Sequence, residues 1–425
     1  MFKTSFIWLS YKRGFNMKKR IIYIVLIGLI ISLVYISCIT NIPDSIILFK
    51  DEDLEINKIL GIEVDLLDEV DSLSEKNVIQ TVTQDYNDTE IVRFGVELFG
   101  IKVKEISVDI LEEIEVVPLG GIIGMKLYTK GVLVVGMSEI YGQDNRKYKP
   151  YENTGIKEGD TIIKIDDEEI LSTEDLVHCI NGSNGEQIKV TYIHNEKEVE
   201  TNITPIQTEK NNYKIGLWVR DAAAGVGTST FYDKKTGSIA MLGHGILDID
   251  TEELIDISDG EITKTNIISI VKGKDGKTGR IQGIVEGQQT IGEIEKNTYF
   301  GVYGKINNIN ELNVDSTKTV KVGTRDEIET GQALILCTLD DGKVKEYEIE
   351  IEKIYLNNNT NNKSMLVRIT DQELLEKTGG IIQGMSGSPI IQNGKLVGAL
   401  THVLVQNPKQ GYAVFADIMI KEMKN

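Results

Sequence analysis

The chain has 425 residues, 41% of them hydrophobic and 26% charged, which is enough for two or three domains with their own cores and excludes a wholly disordered protein. Its formal net charge of -19 disfavours nucleic acid as a partner, because surfaces that bind phosphate backbones are basic. Three widely separated cysteines, Cys38, Cys179 and Cys337, indicate neither a disulfide framework nor a zinc site. We expect no cofactor and no metal ion.

The N-terminal segment predicts a membrane anchor. Residues 21–40 are uncharged and apolar over about the length that crosses a bilayer as a helix, and basic residues precede them. By the positive-inside rule, residues 1–20 would be cytoplasmic and the rest of the chain would lie outside. A cleaved signal peptide is the alternative, although no small-residue cleavage site follows the apolar stretch. The expected localisation is a single-pass membrane protein with its catalytic domain outside the cytoplasm.

The chain changes character near residue 100. Residues 41–100 are acidic with weak periodicity, and we interpret them as a tether. From residue 101 onward, short runs rich in Val and Ile alternate with Gly, Asn and Asp every 8 to 12 residues or so, which is typical of β-rich domains. The sequence therefore predicts a mainly β protein.

The first β-rich region, residues 101–207, contains the sequence TGIKEGDTIIKIDDEEI at Thr154–Ile170. A short helix is predicted to begin at Ser172–Thr173, and a hairpin follows over residues 187–206. This pattern resembles a PDZ domain of the bacterial type.

The PDZ resemblance implies a glycine-rich loop that binds the C-terminal carboxylate of a peptide while the peptide adds a strand to the sheet. Gly120, Gly121 and Gly124 would form this loop, and a simple turn is the alternative for each of them. His178 lies on the predicted helix, where it either lines the groove or faces solvent.

The second β-rich region, residues 208–425, is long enough for a domain of two barrels. Its segment GMSGSP places Ser386 on a glycine turn that can expose the backbone N–H groups of Gly384 and Ser386 as an oxyanion hole. Ser388 precedes a proline, which favours extended backbone, so it is interpreted as the start of the next strand. An apolar run, an Asn-Gly turn and a second apolar run then predict a hairpin.

This segment resembles the nucleophile region of trypsin-like serine peptidases, with Met385 in place of the Asp in G-D-S-G-G-P. The best candidate for the base is His244, which lies between two glycines, 386 − 244 = 142 residues before the serine. That spacing predicts the histidine in a first barrel and the serine in a second. His194 belongs to the PDZ-like region, and His402 is expected to line the cleft or support the core.

A carboxylate should complete the triad by fixing the histidine tautomer. Six aspartates fit by spacing: Asp233, Asp248, Asp250, Asp340, Asp341 and Asp371.

The predicted span, the PDZ-like region ahead of the peptidase, and the motifs G-H-G-I and G-M-S-G-S-P together resemble the stage IV sporulation peptidase B family of endospore-forming bacteria. In that family the histidine and serine of these motifs act with an aspartate of a T-D segment. The resemblance therefore implies the catalytic residues Ser386, His244 and Asp371.

The resemblance also implies a role. Such a peptidase crosses the forespore membrane, cuts itself, and cleaves a membrane-bound regulator in the space between two membranes. That cleavage releases an intramembrane protease and triggers activation of a late sigma factor. The PDZ groove would bind the C-terminus of a partner or the protein's own chain.

Two other functions remain open from the sequence. A quality-control serine protease would place its PDZ domain after the peptidase domain, whereas this chain places it before. A catalytically inactive, membrane-tethered PDZ adaptor is disfavoured because His244 and Ser386 are both present.

Overall fold

The computed structural model describes residues 23, 25–37, 39–40, 42, 45–49, 62–66, 90–98, 101–312, 314–339, 342–356 and 362–424. The chain falls into two compact units, residues 1–112 and residues 113–425.

The first unit contains a four-stranded sheet. Its strands are β1 (Ser45–Phe49), β2 (Ile62–Leu66), β3 (Glu90–Leu98) and β4 (Ile101–Leu111), in the order β1-β4-β3-β2. The second half of β4 is buried on both faces, at Ile106 and at Val108 to Leu111, whereas its first half is largely exposed. The structure therefore differs from the predicted tether over residues 41–100, and residues 101–111 belong to this sheet rather than to the PDZ domain.

The predicted membrane anchor is not supported. Among the described residues, no helix has both the length and the apolar character needed to cross a membrane. This finding contradicts the predicted single-pass localisation. The predicted cytoplasmic residues 1–20 lie outside the described residues.

The second unit is built mainly from strands. In chain order its elements up to residue 321 are β5 (Glu115–Pro118), β6 (Ile122–Met137), β7 (Ile140–Tyr141), β8 (Lys147–Tyr148), β9 (Thr161–Ile165), β10 (Glu168–Glu169), α1 (Thr173–Gly182), β11 (Ile188–His194), β12 (Lys197–Ile203), β13 (Ile206–Gln207), β14 (Tyr213–Lys214), β15 (Leu217–Tyr232), β16 (Ser238–Met241), β17 (Ile257–Val271), β18 (Arg280–Thr298), β19 (Gly301–Ile306), a 3₁₀ helix (Ile309–Leu312) and β20 (Val320–Lys321). The remaining elements are a 3₁₀ helix (Arg325–Glu327), β21 (Gly331–Thr338), β22 (Val344–Ile354), β23 (Met365–Ile369), α2 (Gln372–Thr378), β24 (Pro389–Gln392), β25 (Lys395–Val403), β26 (Gln410–Phe415) and α3 (Ala416–Lys424).

Six strands close the first barrel. They pair in the order β6-β17-β18-β19-β16-β15, and β15 pairs back with β6. Alternate residues of each strand point inward and fill the barrel with aliphatic side chains. The buried core includes Ile123, Met125, Leu127, Ile239, Met241, Ile262, Ile294 and Val302.

The PDZ-like domain interrupts the hairpin formed by β6 and β15. Within the barrel, Tyr128 of β6 pairs with Ala222 of β15. Both strands then continue beyond the barrel, where Leu133 pairs with Arg220 and also with Thr161 of β9. Helix α1 covers this second sheet and begins with a capping box.

The PDZ-like domain is thus an insertion in the first barrel, whose own strands include residues 115–130. The boundary predicted at residues 207 and 208 is not where the two domains divide. The physical reason is that β6 carries buried residues for both cores, Leu127 for the barrel and Val132 for the PDZ sheet, and β15 adds partly buried residues to each.

The second barrel is closed by six strands in the order β21-β22-β23-β26-β25-β24. Its buried side chains include Ile335, Ile349, Val367, Leu400 and Ala413. The structure confirms the predicted fold as mainly β, with a PDZ-like sheet and two closed six-stranded barrels.

Candidate active site

His244 lies at the end of the first barrel's strand β16, just after a turn in which Leu242 and Gly243 have φ values of 67° and 68°. Its Nδ1 lies 2.8 Å from the carbonyl oxygen of Gly245. A carbonyl can only accept a hydrogen bond, so Nδ1 carries the proton and Nε2 keeps the lone pair that a general base needs. Burial lowers the pKa of His244, which keeps the ring neutral at pH 7.

Ser386 lies on the turn that leads into β24 of the second barrel. Its hydroxyl donates to the carbonyl oxygen of Thr401 at 2.7 Å. Within the described part of the chain, the backbone N–H groups of Gly384 and Ser386 donate no hydrogen bond to another backbone group. The predicted oxyanion-hole N–H groups thus have no backbone acceptor, and their binding of an oxyanion stays a prediction.

The serine turn is held between the two barrels. The backbone N–H of Thr228, in strand β15, donates to the Ser386 carbonyl at 2.9 Å, and the Thr228 hydroxyl donates to the Gly384 carbonyl at 2.7 Å. From the other side, the N–H of Gly387 donates to the Leu400 carbonyl at 2.8 Å. Thr228 was not found from the sequence, because no motif marks a residue that acts by holding a distant turn.

The structure brings His244, Ser386 and His402 to one cleft of about 810 Å³. His402 lies on β25, and its ring centroid is 5.0 Å from that of His244, with the planes tilted by 37°. Burial, together with His244 and Lys363, lowers the pKa of His402 to about 4, so this ring is also neutral at pH 7.

The structure does not bring Asp371 into this cleft. Its carboxylate accepts from the backbone N–H of Leu374 at 2.9 Å and so caps helix α2. Its own backbone N–H donates to the Glu348 carbonyl. The T-D segment therefore begins a helix, and this role explains the aspartate without catalysis.

The other aspartates that fit the triad by spacing are either bonded to groups other than His244 or lie outside the described residues. Asp233 holds the turn before β16 through Lys235 and Thr236. Asp248 and Asp250 both pair with Arg220. Asp340 and Asp341 lie outside the described residues.

The three glycines predicted to bind a peptide carboxylate lie in the first barrel instead. Gly124 pairs with Val226 of β15 and Thr263 of β17. Gly120 packs against the second barrel, since a Cβ atom there would lie 2.9 Å from the Leu336 carbonyl oxygen. Gly121 accepts a hydrogen bond from the N–H of Ser229. Their small size serves strand pairing and the contact between the barrels.

In the described part of the chain, no group of three or more His, Cys, Asp or Glu side chains is arranged to hold a metal ion. The two described cysteines are free thiols with raised pKa values. Burial raises the pKa of Cys337 to about 12 and that of Cys179 to about 11, which makes both poor nucleophiles.

Residues 211–420 match the family model of SpoIVB peptidase S55, and residues 121–204 match that of the PDZ domain. The chain belongs to the SpoIVB peptidase S55 family. As a member of this family, the chain is a serine endopeptidase. The matched residues include β16, which leads to His244, and the whole turn that carries Ser386. No curated protein matches this SpoIVB-type peptidase in sequence.

Several solved structures are similar in part. The PDZ domain of the SdrC-like protein from Listeria monocytogenes is 23% identical and covers 21% of this chain and 87% of its own, with a TM-score of 0.17. The active form of the Rv3671c protease from M. tuberculosis is 13% identical and covers 48% of this chain and 74% of its own, with a TM-score of 0.28. The HtrA-type protease AlgW with decapeptide is 12% identical and covers 48% of this chain and 53% of its own, with a TM-score of 0.29.

Proposed function

We propose that this SpoIVB-type peptidase acts in sporulation signalling, where it cleaves a regulator protein and its own chain and so triggers activation of a late sigma factor. The observation that carries the catalytic part of the proposal is the shared cleft of Ser386 and His244, beside two free backbone N–H groups. The signalling role is supported by the family to which the chain belongs.

The proposed mechanism begins when the Ser386 hydroxyl turns from the Thr401 carbonyl towards the free Nε2 of His244. The hydroxyl oxygen bonds to the scissile carbonyl carbon as His244 takes the proton. The backbone N–H groups of Gly384 and Ser386 stabilise the oxyanion. His244 then protonates the leaving amine as the C–N bond breaks. Water attacks the acyl-enzyme with His244 again as the base, and His244 returns the proton to Ser386 Oγ as the acyl–oxygen bond breaks.

The cleft favours a substrate with apolar side chains near the cleaved bond. Four large apolar residues, Leu247, Ile249, Tyr299 and Val405, line it and remain exposed, with Ile249 86% exposed. Burying such surface on binding is worth about 25 cal/mol per Å². An extended apolar segment of a regulator would therefore bind here more tightly than an acidic one.

The PDZ domain would bind a peptide along the first residues of β15. Leu217–Arg220 pair with β6 on one side, and helix α1 lies near the other side. The N–H at the start of α1, on Thr173, donates to Asp221, and the N–H of Tyr213 donates to Asn181 near the end of α1. A peptide that adds a strand beside Leu217–Arg220 would lie between this edge and the helix, on which Val177 is 51% exposed.

Two measurements test the proposed function. The full chain is incubated as wild type and as Ser386→Ala, its fragments are read by mass spectrometry, and both proteins are treated with a serine-directed phosphonate. We expect the wild type to cut itself and to label at Ser386, and the variant to do neither.

Two outcomes would contradict the proposal. Equal fragmentation of both proteins would assign the cut to another nucleophile. A wild type that neither fragments nor labels above background would indicate a binding protein rather than a peptidase.

A further inference from the structure

The catalytic histidine has no carboxylate beside it among the described residues. The groups that shift the pKa of His244 are the surrounding protein, through burial, and the Gly245 carbonyl, with no acid among them. Asp371 caps helix α2, and Asp248 and Asp250 pair with Arg220. Among the described residues, the groups at the His244 ring are the neighbouring backbone, through the Gly245 carbonyl, and the ring of His402.

One of these groups is the backbone around His244. In trypsin-like peptidases the acid lies between the histidine and the serine in sequence. In this chain, the end of β18 lies between His244 and Ser386 in sequence and packs near His244. There Asn297 donates from Nδ2 to the Ile246 and Ile255 carbonyls, each at 2.9 Å, and accepts from the N–H of Ile246 at 2.9 Å. Asn297 fixes the backbone that presents the Gly245 carbonyl, but it supplies no charge.

The other group is His402. Its ring lies 5.0 Å from the His244 ring, centroid to centroid, at the position where β25 has a register shift against β26. Its Nδ1 is buried and has no hydrogen-bond partner in the described part of the chain. Burying such a nitrogen without a partner costs about 1–3 kcal/mol, and this nitrogen belongs to the ring that lies beside the proposed base.

Burial and the groups around His402 keep its ring neutral at pH 7. His244 faces it from the loop after β16, and Lys363 lies near it on the segment before β23. Lys363 also lies over the ring of Tyr412, the strand partner of His402. Burial of the imidazole and the nearby Lys363 ammonium disfavour its protonation, so the lone pair of His402 stays available at pH 7.

We propose that His402 is the positioning residue of the catalytic histidine: its neutral ring holds the His244 ring in place, and its lone pair stabilises the imidazolium that forms as Ser386 loses its proton. His402 makes no covalent bond and transfers no proton. The proton moves from Ser386 Oγ to Nε2 of His244 and then to the leaving amine. The inference rests on the proposed roles of Ser386 and His244.

The test uses the full chain with four substitutions, His402→Phe, His402→Asn, His402→Gln and His402→Asp, and an apolar peptide substrate with a chromogenic leaving group. For each variant kcat, KM and the pH dependence of kcat/KM are measured, and thermal unfolding reports whether the variant is folded. Ser386→Ala and His244→Ala serve as reference variants.

We expect His402→Phe, which keeps a ring without a nitrogen, to lower kcat about 100-fold with little change in KM, since such a group acts on the transition state. His402→Asn or His402→Gln should recover part of the loss by placing a polar atom near the Nδ1 or Nε2 position. His402→Asp should raise the acidic midpoint of kcat/KM above that of the wild type, because a carboxylate beside His244 favours its protonated form.

The inference is overturned if folded His402→Phe keeps the wild-type kcat, or if the acidic midpoint of folded His402→Asp does not move. A purely structural role for His402 predicts that Phe restores activity better than Asn or Gln. The reference variants test the proposed function separately. If Ser386→Ala or His244→Ala stays active, the proposed function fails, whatever the His402 variants do.

Discussion

At the scale of single residues, the serine turn depends on one close approach between the barrels. Gly387 has a φ of 95°, and a Cβ atom at this position would lie 2.0 Å from the Thr228 carbonyl oxygen and 2.6 Å from the Leu242 nitrogen. Both neighbours are backbone atoms of the first barrel, which cannot move aside without disturbing strand pairing. Glycine is therefore required for steric and conformational reasons together.

We expect Gly387→Ala to abolish detectable peptidase activity, because the serine turn must move away from Thr228 and so lose the oxyanion-hole geometry. Loss of one oxyanion donor alone costs about 100-fold or more in kcat. The activity on the chromogenic peptide is compared with that of Gly182→Ala, since a Cβ atom at Gly182 has no neighbour within 4 Å. Equal activity of the two variants would contradict the close packing.

At the scale of elements, the 3₁₀ helix Arg325–Glu327 is joined to helix α3 by a buried ion pair. Arg325 Nε lies 2.8 Å from Asp417 Oδ2, and Nη2 lies 3.2 Å from Oδ1. The two side chains are 1% and 0% exposed. The C-terminal helix is thereby attached to the segment that enters the second barrel.

We expect Asp417→Ala to lower the free energy of unfolding by about 3–5 kcal/mol, because it leaves the Arg325 charge buried without a partner. Urea unfolding of the full chain measures this loss. Glu373→Ala is the matched control, since its ion pair with Lys377 lies on the surface of α2 at a distance of 2.9 Å and should contribute under about 1 kcal/mol. Similar losses in the free energy of unfolding for both variants would contradict the expectation that burial makes the Arg325–Asp417 pair the more important for stability.

At the scale of the whole molecule, the PDZ-like domain and the first barrel share strands β6 and β15. Strand β6 pairs with β17 and β15 in the barrel, so the barrel cannot close without residues 122–130. These residues precede the PDZ-like domain in sequence. The peptidase domain is consequently discontinuous along the chain.

We expect a fragment of residues 113–425 to fold and a fragment of residues 208–425 to remain unfolded or aggregate, because the latter lacks β6. Circular dichroism and thermal unfolding of the two purified fragments measure this difference. A cooperative unfolding transition in residues 208–425 would contradict the shared-strand architecture.

Local patterns made part of this architecture predictable. The serine turn, the Asn-Gly hairpin after it and the PDZ helix each depend on residues that are near one another in sequence. The roles of Gly124 and Asp371 were not predictable, because Gly124 pairs with Val226 across about a hundred residues and a T-D segment suits a helix cap as well as a triad. The pairing of His402 with His244 also depends on the docking of two barrels, which no spacing encodes.

The continuity of β15 has a consequence for the choice of cleavage site. The strand runs from Leu217–Arg220, at the proposed peptide groove, to Thr228, which holds the Ser386 turn, and its register against β6 shifts between Arg220 and Ala222. At ~3.3 Å per residue, the eight steps from Arg220 to Thr228 span about 26 Å. A substrate bound by its C-terminus in the groove would reach Ser386 only at bonds about eight or more residues upstream, so the strand would act as a ruler.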